Sequence, residues 1–366
     1  MRSALLLLPL LATLAARPAA ALDPTRALTQ YGLEVWQTDE GLPQNTVEAL
    51  ARTPDGFLWV ATQEGLVRFD GVTFTVYDAQ NTPALGRSMV QTLLVTRDGT
   101  LWIGTLTGGL TAFRDGQFRS HVPPPADVRA LAQTQDGTLW VATSTGLLRR
   151  EGERFVPITA QQGLRPGAVI ALGTDREGTL WAALREGQVQ RYVGGRFIDF
   201  SADLPRTRIY AVAQDAQGAM WFGTRGHGAL RWKDGRLEAF GAPQGLPHRT
   251  VYTLLPERDG TLWLGTDSGL VRWHEERFET LDESKGLSAD AVYSLYASTE
   301  GDLWVGTSGG GLARLREGAF VPLGTPEGLS GNKVRAVYES RDGTLWVGTD
   351  GGGLDAVRGR AVQHFG

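Results

Sequence analysis

The 366-residue sequence predicts an all-β architecture of repeated four-stranded antiparallel units, and three observations carry that prediction. First, one short apolar phrase recurs eight times. It reads Leu58-Trp59-Val60-Ala61-Thr62, then around Trp102, Trp140, Trp181, Trp221, Trp263 and Trp304, and last as Leu345-Trp346-Val347-Gly348-Thr349. Second, the period is about 40 residues, and a leucine stands 17 residues before each repeat tryptophan: Leu42, Leu85, Leu164, Leu204, Leu246, Leu287 and Leu329. Only the short third repeat departs, with Pro123 there. Third, glycine supplies 48 residues, well above the usual share of about 7 %, and it sits where the apolar runs stop.

The elements follow in order. Met1 to Ala21 has a basic start at Arg2, an apolar run from Leu5 to Leu14 and an Ala19-x-Ala21 cleavage site, the pattern of a secretory signal peptide. That run is too short for a comfortable membrane span. Residues 22–30 are expected to be a leader segment and residues 31–366 the repeat domain. Tyr31 to Thr38 reads as an outer strand.

The sixth unit shows the internal plan. Val251 to Leu255 is β-branched and apolar, the innermost strand. Arg258-Asp259-Gly260 turns the chain, since Asp-Gly tolerates the positive φ that tight hairpins need. Thr261 to Thr266 returns with the tryptophan, Asp267-Ser268-Gly269 turns again, Leu270 to His274 is a third strand and Arg277 to Leu281 an outer fourth.

Four strands per unit of about 40 residues is the signature of a β-propeller blade. A single blade cannot bury both faces of its sheet, so the units must stack radially, with the tryptophans between them. Eight inner-strand sets favour eight blades. Ala361 to Phe365 also reads as an outer strand, which leaves one outer strand surplus, so seven blades with one leftover repeat is the alternative.

Composition excludes several classes of function. There is no cysteine, hence no disulfide framework, thiolate metal site or cysteine nucleophile. The five histidines, His121, His227, His248, His274 and His364, show no ligand-like spacing, so no metal or cofactor is expected. Net charge is −4 with no basic stripe, which argues against nucleic acid. Gly306-Thr307-Ser308-Gly309-Gly310 fits a nucleophile elbow formally, but it joins two strands where the elbow requires a strand-to-helix turn. No catalytic residue is assigned. The acidic turns at Asp55, Asp98, Asp136, Asp259 and Asp342 come one per unit and lack calcium-loop spacing, so they read as turn formers.

One family resemblance enters at Gly32 to Phe74. With Trp36, Gly41-Leu42-Pro43-Gln44-Asn45, Asp55 to Thr62 and Gly65-Leu66-Val67-Arg68-Phe69-Asp70-Gly71, it closely resembles the start of two-component regulator propeller sensor domains. The later units, such as Asp342 to Thr349, resemble the short repeat of the same family. What the resemblance implies is the periplasmic, ligand-sensing part of a bacterial transmembrane receptor. Such propellers are coupled to a histidine kinase, a diguanylate cyclase or a DNA-binding output, and several sense oligosaccharides. The sequence departs from the pattern in two ways. Relatives commonly carry about twice as many repeats, and they continue into a membrane span and a cytoplasmic output.

One register in the repeat singles out candidate ligand contacts. At the head of each inner strand, the residue after the first apolar position runs Glu48, Gln91, Arg129, Ile170, Tyr210, Tyr252, Tyr293 and Arg335. The rest of those strands is small or aliphatic, so size and polarity vary here alone. The bland reading is packing between blades. The functional reading places these side chains at the mouth of a central channel, with Arg208 and His248 added from the loops just before the strands. Tyrosine faces stack on the C–H faces of a sugar, and arginines favour an acidic one. The expected function is therefore an exported, periplasmic or secreted propeller that binds a small ligand such as an oligosaccharide, as the input of a signalling receptor. Its partners would be that ligand, a downstream kinase or cyclase domain and, as an assembly, a homodimer. A propeller enzyme such as a polysaccharide lyase or glycosidase, and a protein-interaction scaffold, are the alternatives.

Overall fold

The computed structural model describes residues 22–86, 89–122, 127–201, 204–318, 323–340, 342–359 and 361–366. The signal-peptide segment and Pro123 lie outside them. Eight four-stranded antiparallel sheets are present, the number of units expected. Helical structure among the described residues is limited to short 3-10 turns, and no helix there is long and apolar enough to cross a membrane.

Local chemistry accounts for the strand limits. In the sixth unit the strands are Val251–Pro256, Leu262–Thr266, Gly269–His274 and Arg277–Leu281. Gly260 adopts φ 92° in the first turn, and Asp259 Oδ1 accepts the Thr261 amide at 2.9 Å, which closes that turn. Three other acidic turns work alike, with Asp98 Oδ1 accepting Thr100 N at 3.2 Å, Asp136 Oδ1 accepting Thr138 N at 3.1 Å and Asp342 Oδ1 accepting Thr344 N at 3.2 Å. These aspartates are turn formers.

The inner strands of seven sheets pack side by side in sequence, and the seventh returns to the first. Blades 1 to 6 span residues 47–77, 90–122, 128–158, 169–199, 209–240 and 251–281. Blade 7 combines 292–316 with strand Gly32–Trp36, which supplies its outer edge by pairing antiparallel to Leu312–Arg316. The expected outer strand near Tyr31 thus locks the ring. At the closing junction Asn45 O accepts Gly309 N at 3.1 Å and Gly311 N at 2.8 Å, Ser294 Oγ donates to Val47 O at 3.2 Å, and Trp36 stacks on Trp304 at 5.4 Å. The eighth sheet, 334–365, stands outside this ring, the arrangement set out as the alternative. Its inner strand Val334–Glu339 is exposed along its whole length.

A side-chain code explains the stacking. The first residue of each inner strand is Val or Ile and is fully buried in the ring: Val47, Val90, Val128, Val169, Ile209, Val251 and Val292. Each meets a small residue on the second strand of the preceding blade. A Cβ on Gly104 would lie 2.5 Å from Val128 Cγ1, one on Gly265 2.8 Å from Val292 Cγ1, and one on Gly306 2.5 Å from Val47 Cγ1. Where the small residue is Ala61, Ala142 or Ala183, it shares a core cluster with Val90, Val169 or Ile209. The last contact, Gly306 to Val47, joins blade 7 to blade 1.

The repeat tryptophans of the ring are buried as expected. The residue six positions earlier receives the indole proton in four blades: Thr53 from Trp59 at 2.9 Å, Thr134 from Trp140 at 3.1 Å, Asp175 from Trp181 at 2.9 Å and Asp215 from Trp221 at 2.7 Å. Residues 22–31 pack onto the ring as well. Leu22, Leu28 and Tyr31 join the core of blades 6 and 7, and the buried Arg272 donates to Tyr31 Oη at 2.9 Å.

Candidate functional site at the channel mouth

Every inner strand carries a β-bulge between its first and third residues, as between Val47 and Ala49, Val90 and Thr92, Ile209 and Ala211, or Val251 and Thr253. The bulged second residue has no cross-strand partner, and a bulge re-aims its side chain. These are the residues of the variable register. A bulge repeated around a ring points seven such side chains at one end of the channel.

There they line a cavity of about 310 Å³ together with residues of the neighbouring loops. Its walls are Glu48, Gln91, Arg129, Ile170, Arg185, Arg208, Tyr210, Tyr252 and Tyr293. The size is within the range of small-ligand pockets. Blades 5 to 7 form an aromatic wall. The rings of Tyr210 and Tyr252 lie 5.4 Å apart, and those of Tyr252 and Tyr293 4.8 Å apart in an edge-to-face arrangement. Tyr252 Oη donates to Asp267 Oδ1 at 2.9 Å, and burial, then the Asp267 carboxylate, pushes the phenol pKa well above its usual value. Tyr252 is therefore a fixed, neutral ring.

The arc beside it, from blade 3 to the start of blade 5, carries arginines. Arg129 forms an ion pair with Asp127 on its own blade. Arg185 and Arg208 have no ion-pair partner among the described residues. Glu48 stands on blade 1, where burial raises its pKa and a hydrogen bond from Gln63 Nε2 at 3.2 Å partly offsets that. With Arg129 paired to Asp127, the cavity retains two arginines, Arg185 and Arg208, against the half-buried Glu48 carboxyl, within a chain of net charge −4.

Nine residues were predicted for the site, and seven of them line this cavity. His248 is not among the lining residues: its Nδ1 accepts the Thr250 amide at 3.1 Å, and Asp267 lies 3.7 Å from the same nitrogen. Arg335 is a correction. It occupies the bulge of the eighth sheet, outside the ring, and pairs with Asp350 at 2.7 Å. Arg185 was missed. It follows the second strand of blade 4, in a register that elsewhere holds Gln63 and Asp267, the partners of Glu48 and Tyr252. The signal was legible, because the residue after each Leu-Trp phrase varies as freely as the bulge position. Ser308 shares that register, in the turn between strands Leu303–Thr307 and Leu312–Arg316.

Fold and pocket together define a class, a seven-bladed propeller with a polar, aromatic-walled channel mouth and one further blade-like sheet. Segments 41–64, 84–107, 123–145, 203–226, 245–268, 286–309 and 328–351 match the two component regulator propeller family, so seven of the eight repeat units are of that type. The fourth unit, around Trp181, is not among the matched segments but folds as a blade like the others.

No curated protein matches the sequence significantly. Among solved structures, the chain is similar to the extracellular domain of a putative hybrid two component system from B. thetaiotaomicron, at 17% identity and a TM-score of 0.68, covering 92% of this chain and 54% of that one. A putative one component system from the same organism gives 18% identity and a TM-score of 0.66 over 92% and 54% of the two chains. The chain thus spans about half the length of those domains. Virginiamycin B lyase from Staphylococcus aureus is similar at 13% identity and a TM-score of 0.64, over 78% of this chain and 99% of the lyase.

Proposed function

We propose that this chain is the ligand-binding propeller of an extracytoplasmic sensor, and that it takes a small acidic saccharide at the channel mouth. The observation that carries the reading is one cavity lined by a tyrosine arc and, beside it, by two arginines without an ion-pair partner among the described residues. Tyr210, Tyr252 and Tyr293 offer ring faces and edges for the apolar face of a sugar. Arg185 and Arg208 offer charge-assisted bonds to its carboxylate, and Gln91 and Glu48 can satisfy hydroxyls. The family matched by its repeat units and the extracellular, two component setting of its structural neighbours support a sensing role. Export by the segment 1–21 is part of the same reading.

The test is isothermal calorimetry with uronic-acid oligosaccharides and their neutral counterparts. Uronate binding is expected, weakened by roughly 1–3 kcal/mol in Tyr210→Ala, Tyr252→Ala or Tyr293→Ala. Arg185→Gln should lower affinity for the acidic sugars and leave any neutral binding unchanged. If the three tyrosine variants bind like the parent, the aromatic arc is packing only and the site is wrong. Turnover of the sugar during titration would move the chain to the lyase or glycosidase class.

A further inference from the structure

The arginines of the cavity continue past its rim. The residue after a blade's second strand bonds back to the loop that enters the same blade: Arg185 N donates to Ala168 O and Arg225 N to Arg208 O, each at 2.9 Å. On blades 5 and 6 these bonds run on. Gly226 N and Gly228 N donate to Arg249 O at 2.8 and 2.7 Å, and Thr207 Oγ1 donates to Arg225 O at 2.6 Å. Blade 4 abuts the same backbone, since a Cβ on Gly187 would lie 2.6 Å from Thr207 O. One backbone-tied ledge therefore carries Arg185, Arg208, Arg225 and Arg249 in succession around the mouth end of blades 4 to 6. Arg185 and Arg208 line the cavity, and Arg225 and Arg249 are exposed beyond it. None of the four has an ion-pair partner among the described residues.

The same joint on the other side of the ring is neutral. Between blades 7 and 1, Ser308 N donates to Ala291 O, and Asn45 O takes the place of Arg249 O. The described loops there expose Asp39, Glu40, Glu64 and Glu283, and their one cation, Lys285, pairs with Asp282 at 3.3 Å. In the described mouth-end loops of blades 5 and 6 the one carboxylate, Asp267, is held by Tyr252. The mouth end of the ring is thus polarised, basic over blades 5 and 6 and acidic over blades 7 and 1.

We infer that the acidic saccharide is an oligomer, and that it leaves the cavity over blades 5 and 6 with its further carboxylates on Arg225 and Arg249. The inference rests on the reading of the mouth as an acidic-sugar site. A cavity of about 310 Å³ is at the small end for ligand pockets, so the further units of a chain must project past its rim. There the acidic loops of blades 7 and 1 repel a polyanion and the ledge attracts it. Guanidinium forks match carboxylates in pairs of hydrogen bonds, so successive arginines suit a polymer that carries one carboxylate per unit. A folded protein partner would need an apolar centre to its contact, and none of the large hydrophobic residues exposed among the described residues stands on the ledge.

The test is calorimetry on the full chain with three probes: a uronate disaccharide, a uronate hexasaccharide of the same linkage, and a glutamate hexapeptide. The parent should bind the hexasaccharide more tightly than the disaccharide, and the difference should shrink in high salt. Combining Arg225→Gln with Arg249→Gln should weaken the hexasaccharide about tenfold or more, the worth of a charge-assisted contact. The same double variant should bind the disaccharide like the parent, which also shows that its mouth is folded. Arg236→Gln removes a like charge at the far end of blade 5, in the turn to its outer strand, and should leave both affinities unchanged. A hexasaccharide bound no more tightly than the disaccharide, or a double variant that binds it like the parent, overturns the ledge and leaves the reading of the mouth standing. An equal loss in Arg236→Gln overturns the ledge as well, because net charge then acts without contact. Tighter binding of the peptide than of the hexasaccharide overturns it in favour of an acidic protein partner. Binding of neither uronate overturns the reading of the mouth and this inference together.

Discussion

Blade 7 and the eighth sheet contain the same five residues, Leu-Trp-Val-Gly-Thr, at 303–307 and 345–349. Both form a second strand paired to an inner strand in the same register, with Trp304 opposite Tyr296 and Trp346 opposite Tyr338. All five residues are buried in blade 7. Of the five at 345–349, only Val347 is buried. Local sequence thus sets strand, turn and register, while burial comes from neighbours. A propeller blade is a half-finished object whose core lies between it and the next.

The largest expected effect separates the two tryptophans. Trp304→Ala should destabilise the ring by roughly 3–5 kcal/mol, the range for removing a buried aromatic side chain. Trp346→Ala should leave the ring's unfolding transition within about 0.5 kcal/mol. Urea titration followed by far-UV circular dichroism measures both, and equal losses would contradict the division between ring and eighth sheet.

A pH effect should follow, confined to the ring. Glu257 occupies the position where Thr53, Thr134, Asp175 and Asp215 accept an indole proton, yet its Oε2 and Trp263 Nε1 are both buried without a hydrogen bond. Burial, then the charge of Asp259, raises the carboxyl pKa from 4.5 to about 7, and the nearby Trp263 N–H, too poorly aligned to count as a hydrogen bond, offsets only part of that rise. Between those values the native state holds a proton that the unfolded chain has released. Ring stability should therefore be full below pH 4.5, fall as pH rises toward 7, and lose on the order of 2–3 kcal/mol in all. Glu257→Gln should flatten that dependence. An unchanged pH profile in the variant would remove Glu257 as its source.

Smaller again is the contrast between two glycines. Gly306→Ala would press a methyl group into Val47 and Ser294 and should cost about 1–3 kcal/mol by overpacking. Gly348→Ala makes only ordinary contacts with Ala336 of its own sheet and should change ring stability by less than about 0.5 kcal/mol. Thermal melts of the two variants decide it, and similar shifts would mean that the eighth sheet packs as a ring blade does.

Much of this was legible in the sequence, for physical reasons. The Asp-Gly turns and the Leu-Trp phrase act within one unit, so all four strands of the sixth blade fell within about a residue of their expected limits. The variable inner-strand register was visible because the rest of the strand is constrained to be small. Closure was not legible. Val334 and Val47 look alike in sequence, and only the ring decides which of them finds a glycine. Arg335 was misplaced for that reason. The bulge that aims Glu48, Gln91 and the tyrosines is a backbone feature with no single residue signature, and Arg185 was overlooked because its register belongs to a turn.

The central claim is that seven blades close on the strand Gly32–Trp36 and leave the eighth sheet uncovered. Hydrogen–deuterium exchange on dilute protein tests it most directly, because the two Leu-Trp-Val-Gly-Thr segments have the same intrinsic chemistry. The account predicts that the amides of 303–307 exchange only with global unfolding of the ring, while those of 345–349 exchange by local opening, faster by at least an order of magnitude. Equal protection of the two segments would contradict it.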